Sequence, residues 1–408
     1  MEKQSGTLPT LEDPGLRTVT KNRARNQQQA LWKPGKITRF IAQNQPKTPF
    51  LVVNLDIVAG NYYTLERAMP MAQIYYAVKA NPSPEVIKRL VDVGSSFDVA
   101  STAEIELVLA AGAQPEKISY GNTIKKENDI AWAYERGVRL FAFDSDAELL
   151  KLARSAPGAR VYCRLLTNCE GADWPLSRKF GCETDMARNL LIRAKKMGLV
   201  PCGVSFHVGS QQTRLDQWNS ALENTAKLFL SLKEVSIDLT LVNIGGGFPA
   251  HYQQTVAPVA SYASAILKAM STHFGSELPQ IIIEPGRSLV GDAGIIEAEV
   301  VLISKKSYGD DVRWVYLDIG KFGGLAETHD EAIKYRIETP GRKGATGGVI
   351  LAGPSCDSVD ILYEKFKYQL PLSLRVGDRI RIHATGAYTA SYASVGFNGF
   401  APLPTYCI

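Results

Sequence analysis

At 408 residues the chain is too long for one ordinary core and suits two domains. Its 45% hydrophobic and 21% charged residues are those of a soluble globular protein, which excludes a disordered or fibrous chain. The net charge of +5 is modest and its basic residues are interleaved with acids, so no nucleic-acid stripe forms; nor does any apolar run approach membrane-spanning length.

Residues 1–34 are polar and irregular, with Pro9, Pro14, Gln27 to Gln29 and Pro34, and are expected to form an extended arm. Glu2, Glu12 and Asp13 argue against a cleaved targeting peptide, and no secretory signal core is present. Ile37 to Gln43 reads as a short helix leading into a strand over Pro49 to Leu55. The apolar run Ile74 to Val78 reads as a buried strand ending at Lys79, stopped by Asn81-Pro82 before a helix that opens at Pro84.

From Ile74 onward strands and helices alternate. Strands are expected at Ile74–Lys79, Phe97–Ser101, Ile118–Asn122, Leu140–Asp144, Arg160–Leu166, Gly203–Val208, Leu239–Gly245 and Gln280–Glu284. Helical patterns lie between them at Thr102–Ala111, Lys126–Glu135, Asp146–Ala153, Met186–Met197 and Leu215–Leu232. Eight such units predict an α/β fold, a parallel (β/α)8 barrel of the TIM type over residues 35–289 with a lead-in segment. Beyond Gly286 strand-like segments dominate, at Ile295–Ser304, Arg313–Leu317, Gly348–Leu351 and Arg379–Ile382. They predict a C-terminal β-domain over 290–408, sandwich- or barrel-like, which the segment before the barrel can join. The six cysteines form no C-x-x-C pair and no framework; free thiols in a reducing, cytoplasmic setting are expected, and no metal.

Active sites of such barrels lie at the carboxyl ends of the strands. Lys79, Asp98, Arg164, His207, Gly245-Gly246-Gly247 and Glu284-Pro285-Gly286-Arg287 all fall there. Each has a plain structural reading as well. Lys79 is either a rim lysine or a desolvated amine with a lowered pKa, suited to a Schiff base. Asp98 can cap a turn, Arg164 can pair with a barrel carboxylate, and His207 can be a hydrogen-bonded core residue. Glu104 is best explained as the last member of a capping box, Ser101-Thr102-Ala103-Glu104. The glycine run suits either a turn or an anion held by backbone N–H groups, to which Arg287 adds a bidentate donor. Their convergence on one face favours function. An imine-forming lysine, a phosphate cradle and a spare carboxylate describe a pyridoxal phosphate site, with Glu284 keeping the pyridine nitrogen protonated. The second role open to Glu284 is to neutralise Arg287.

These motifs, with Tyr76-Ala77-Val78-Lys79-Ala80-Asn81, Phe97-Asp98-Val99-Ala100-Ser101, Ser205-Phe206-His207-Val208-Gly209-Ser210, Gly353-Pro354-Ser355-Cys356-Asp357 and Gly386-Ala387-Tyr388-Thr389, resemble the ornithine/lysine decarboxylase group of pyridoxal phosphate enzymes with the alanine-racemase-type fold. The resemblance runs in order from about Pro49 to Phe400. It implies that Lys79 carries the cofactor, His207 stacks on its ring and Glu284 pairs with the ring nitrogen. Ser210, Gly245, Gly246, Gly247, Gly286, Arg287 and Tyr388 fall in the phosphate-binding motifs, and Asp98 and Arg164 support the lysine and ring. It further implies that Cys356 protonates the carbanion and that Asp357, with Asp330 in His329-Asp330, receives the distal ammonium of the substrate. Cys356 and Asp357 reach in from the partner subunit in that family, so a homodimer is implied. The segment from Asp318 to Gly324 and His329 depart from the familiar eukaryotic form, which bears on the substrate end more than on the cofactor.

The expected activity is decarboxylation of L-ornithine to putrescine, a step of polyamine biosynthesis, with lysine or dual lysine/ornithine specificity as the alternative. One methylene changes affinity by only about 1–3 kcal/mol in an apolar pocket. An amino-acid racemase of the same fold and a non-catalytic decarboxylase homologue are the remaining alternatives. The presence of Lys79, Glu284, Arg287 and Cys356 speaks against the last.

Overall fold

Eight short segments close into a parallel barrel in the computed structural model, which describes residues 35–174 and 179–408. The expected arm at residues 1–34 lies outside the described residues. Among the described residues, 35–45 belong to one unit, in which a helix spans Gly35–Asn44, and those from Pro46 onward to the other.

The barrel strands are Ala72–Ala77, Ser96–Val99, Ile118–Tyr120, Leu140–Phe143, Arg160–Arg164, Val200–Ser205, Leu241–Asn243 and Gln280–Ile283, the last pairing with the first. All eight expected strands are present, each shortened at its carboxyl end; Lys79, His207 and Glu284 fall beyond the ladder, whereas Asp98 and Arg164 remain within it. Alternation sends Tyr75, Leu140, Ala142, Tyr162, Cys202, Leu241 and Ile282 into one small buried cluster that fills the barrel. Neighbouring positions such as Tyr76, Phe97, Phe141, Val161 and Ile283 face the helices in the larger core.

Two helices escape the periodicity reading. Leu55–Ala68 contains Gly60-Asn61 and follows directly on a strand, yet Asn54 caps it by accepting the Asp56 N–H at 3.0 Å. Val259–Phe274 is rich in alanine and serine; its markers are Pro258 before it and Gly275 after it, the latter at φ 72°.

The mostly-sheet part has eight strands among the described residues. A central path runs Arg336–Glu338, Arg379–His383, Gly294–Ser304, Arg313–Leu317, Thr346–Ala352 and Ile361–Pro371. Phe50–Val53, from before the barrel, pairs antiparallel with Gly294–Ser304 and parallel with Thr405–Cys407. That strand is wholly buried. Its continuous apolar run, Phe50-Leu51-Val52-Val53, is what a two-sided central strand requires. No helix among the described residues is long and apolar enough to cross a membrane.

Candidate active site

Lys79 does not end its strand; it sits in the 3-10 turn Val78–Ala80 immediately after it. The turn is held from both sides. The Tyr76 hydroxyl donates to the Asn81 carbonyl at 3.0 Å, and the Asn81 amide donates to the Gly386 carbonyl at 2.8 Å. The Tyr388 N–H donates to the Ala80 carbonyl at 2.8 Å. Tyr388 itself stands at φ 53°, a left-handed backbone that costs energy for any residue but glycine and brings its ring to the site. Lysine placement therefore depends on the loop after the last long sheet strand as much as on the barrel.

A cavity opens above the barrel, lined in part by Lys79, Asp98, His207 and Glu284. Ala77, Ser210, Gly247, Phe248, Gly286, Arg287 and Tyr388 complete it. Burial acting alone would lower the Lys79 ammonium, but Asp98, Tyr388 and Glu284 together raise its pKa above the ordinary value. The expected depressed lysine is thus corrected: two carboxylates outweigh desolvation. Burial, then Glu284, pushes the Asp98 carboxyl well up against the pull of Lys79. Its Oδ1 is buried with no hydrogen-bond partner among the described residues. His207 is held well below the usual imidazole range by burial, then by Arg164 and Lys79. Its Nδ1 accepts the Gly209 N–H at 3.0 Å, which leaves the proton of the neutral ring on Nε2.

Glu284 follows its strand directly and receives a short hydrogen bond from the Asn243 amide. Asn243 in turn accepts the Gly245 N–H at 3.0 Å, so one buried asparagine fixes both the carboxylate and the glycine run. A side chain at Gly246 would put its Cβ 2.6 Å from the Glu284 carbonyl oxygen and 3.2 Å from His207 Nε2. At Gly286 it would come within 2.9 Å of Ala80 Cβ and 3.2 Å of the Tyr388 hydroxyl. Arg164 stands at the end of its strand with its guanidinium 5.2 Å from the Phe180 ring centroid, and its charge is felt by Lys79, Asp98 and His207.

Arg287 has a partner that sequence reasoning missed. Glu327 accepts from Nη1 at 2.7 Å and from Nη2 at 2.5 Å, and both side chains are buried. Neutralising Arg287 therefore falls to Glu327, and Glu284 is left to face the cavity. Tyr252 and Ser210 hydroxyls accept from Nη1 at 2.6 Å and from Nε at 3.1 Å. Asn243, Tyr252 and Glu327 carry no local motif; only the fold brings them to the site. Half of the expected box forms: Ser101 Oγ accepts the Glu104 N–H at 3.3 Å, but the Glu104 carboxylate accepts from the Ala100 N–H at 2.6 Å, one residue before the cap.

Cys356, Asp357, His329 and Asp330 do not line this cavity. Cys356 is exposed, its N–H bonded to Asn398 Oδ1 at 3.1 Å. His329 and Asp330 side chains are 70% and 82% exposed and lie 3.6 Å apart. Asp330 and Glu331 are consecutive left-handed residues, at φ 50° and 57°.

The cavity fits pyridoxal phosphate: an orphaned carboxylate oxygen beside a lysine, a second carboxylate for a protonated ring nitrogen, and glycines where any Cβ would collide. Residues 55–291 match the family model of the pyridoxal-dependent decarboxylase, pyridoxal binding domain. The lysine/ornithine decarboxylase of Selenomonas ruminantium is 34% identical over 91% of this chain and 92% of its own. Antizyme inhibitor 2 of Xenopus laevis is 34% identical over 91% and 83%. The structure of a lysine/ornithine decarboxylase complexed with cadaverine from Vibrio vulnificus superimposes with a TM-score of 0.82 at 30% identity, covering 92% of this chain and 98% of that one.

Proposed function

This chain belongs to the family of pyridoxal-dependent amino acid decarboxylases, and from that membership we propose that its substrate is a basic amino acid, L-ornithine first and L-lysine second. The products are carbon dioxide and the diamine, putrescine from ornithine, in a cytoplasmic step of polyamine biosynthesis. The observation that carries the proposal is one cavity lined by Lys79, Asp98, His207 and Glu284 together.

Pyridoxal phosphate, when bound, supplies the electron sink for the pair left by the departing carboxylate. Lys79 would hold it through its amine. Glu284 would keep a proton on the ring nitrogen, and neutral His207 would lie flat against the ring. Ser210, Gly245, Gly246, Gly247, Gly286, Arg287 and Tyr388 would hold the phosphate, with Asp98 and Arg164 supporting the lysine and ring. The cavity wall would position the substrate for loss of carbon dioxide rather than of a proton.

Cys356 would deliver the proton to the carbon that lost its carboxylate, and Asp357, Asp330 and His329 would receive the distal ammonium. Since none of these lines the cavity of its own chain, they would serve the cavity of a second copy, in a homodimer with shared sites. The exposed Tyr392, Val395 and Phe400, around the Asn398 that holds Cys356, support an apolar covered surface there. The proposed functional division is a barrel part over 35–289 and a β part over 290–408.

The second reading is a non-catalytic homologue, since one similar chain is named an antizyme inhibitor. Lys79, Glu284, Arg287 and Cys356 together favour turnover. The test is diamine and carbon dioxide release from cofactor-loaded protein offered L-ornithine, L-lysine, L-arginine and D-ornithine, with Lys79→Ala as blank. Putrescine from L-ornithine is expected. Mostly cadaverine would move the assignment to lysine, and no carbon dioxide from any substrate would overturn it in favour of racemisation or a non-catalytic role.

A further inference from the structure

The Arg287–Glu327 pair is unusual for a phosphate anchor. Four of the five guanidinium N–H donors are already engaged: Nε by Ser210, both on Nη1 by Tyr252 and Glu327, and one on Nη2 by Glu327. The face of the fork that would meet a phosphate in bidentate fashion meets a buried carboxylate instead. The two side chains are only 2% and 4% exposed, so water does little to screen them. Around Lys79, Asp98 and Glu284 likewise face the ammonium and raise it.

We propose that Glu327 is a specificity-determining residue of the phosphate end: by cancelling the charge of Arg287 it prevents free inorganic phosphate, and phosphate esters without an aldehyde, from occupying the cavity. The proposal rests on the reading that this cavity holds pyridoxal phosphate. An uncompensated buried guanidinium would attract any dianion. A neutralised one leaves only hydroxyl and backbone dipoles and a single N–H, which hold a phosphate group weakly unless a second attachment adds to them. Lys79 provides that attachment, and only for a ligand carrying an aldehyde. Selectivity thus comes from the charge removed at one end and the bond available at the other. A strut between the turn at Ala326–Glu331 and the helix at Arg287–Val290 is the plainer role for such a pair, and it makes no statement about anion affinity.

Inorganic phosphate is titrated calorimetrically into the full-length, cofactor-stripped chain, as wild type, Glu327→Gln and Glu327→Asp. Pyridoxal phosphate is titrated in parallel and read by its visible absorbance. The expected result is millimolar or weaker phosphate binding by the wild type, at least about tenfold tighter binding by Glu327→Gln, and a return to within about threefold of wild type in Glu327→Asp, which keeps the charge. Unchanged or weaker phosphate binding by a folded Glu327→Gln would overturn the proposal. Micromolar phosphate binding by the wild type would overturn it without any variant, so a Glu327→Gln chain that fails to fold leaves it decidable. If the wild type binds no pyridoxal phosphate, the cofactor reading itself fails; normal cofactor binding without tighter phosphate binding in Glu327→Gln removes the inference alone.

Discussion

The barrel cavity and the loops of the sheet carry the two halves of one proposed reaction, and they differ in almost every physical respect. In the cavity, Asp98 is buried and His207 and Glu284 half-buried around the Lys79 amine; burial pushes the Asp98 carboxyl up and the His207 imidazole down, while the facing acids raise Lys79. In the loops, Cys356, His329 and Asp330 are exposed and held chiefly through backbone contacts. The carboxylate that fastens the Cys356 loop is Asp360, buried, accepting the Lys321 N–H at 2.8 Å and the Ser355 hydroxyl at 2.7 Å. Gly320 and Gly353 leave room for it, since a Cβ at either would lie 2.2–2.3 Å from its oxygens. One region is finished within a single chain; the other is a rigid presentation of groups that meet nothing in their own chain's cavity.

Substitutions can break that contrast. Lys79→Ala is expected to have the largest effect, a loss of about 10⁴-fold or more in kcat together with loss of covalent cofactor attachment, checked by turnover and by absorbance. Cys356→Ala should lower kcat by about 10²- to 10⁴-fold, the usual weight of a general acid, while cofactor affinity stays at the wild-type value. A Cys356→Ala chain that loses its cofactor would place the thiol in the wrong half. Asp357→Asn is expected to raise KM for ornithine by about 10- to 100-fold with a smaller change in kcat, the cost of one charge-assisted hydrogen bond.

Two smaller effects sharpen the same comparison from the stability side. His207 has a folded pKa below its unfolded value, so its contribution to stability is present above about pH 6.5 and is lost as pH falls through the range below it. Replacement by Phe should flatten the thermal-stability profile of the cofactor-free chain between pH 7 and pH 5, by at most about 1.4 kcal/mol per pH unit. An unchanged slope would show that His207 is not buried neutral. Ser101→Ala, which touches only the helix cap, should cost about 1 kcal/mol of stability, measured by denaturant unfolding, with kcat and KM unchanged.

Much of this was legible in the sequence, for reasons that differ by region. The barrel strands announce themselves because each is short and largely apolar. Lys79, His207 and Glu284, just beyond their strands, and Asp98, a charge inside one, could be singled out against that background. Glu327, Tyr252 and Asn243 could not, because the charged site residues they bond, Arg287 and Glu284, lie 35 or more residues away in the chain and their own surroundings look ordinary. The lysine pKa failed in sign because a strand end reveals burial but not the two carboxylates that converge on it from other strands. Helix Val259–Phe274 was missed because its buried face is built largely from small residues, with Ala263 and Ala269 between Tyr262, Ile266 and Met270.

The central claim is that a cavity from one chain works with Cys356 from another, and mixing two inactive chains tests it most directly. Lys79→Ala and Cys356→Ala proteins would be unfolded and refolded together, loaded with cofactor and assayed for putrescine. Random pairing of copies in a two-fold dimer should restore roughly one quarter of wild-type activity, since half the dimers carry one intact site of two. A mixture no more active than its separate components, with the dimer shown to have exchanged partners, would contradict the account and return the proton donor to the cavity's own chain.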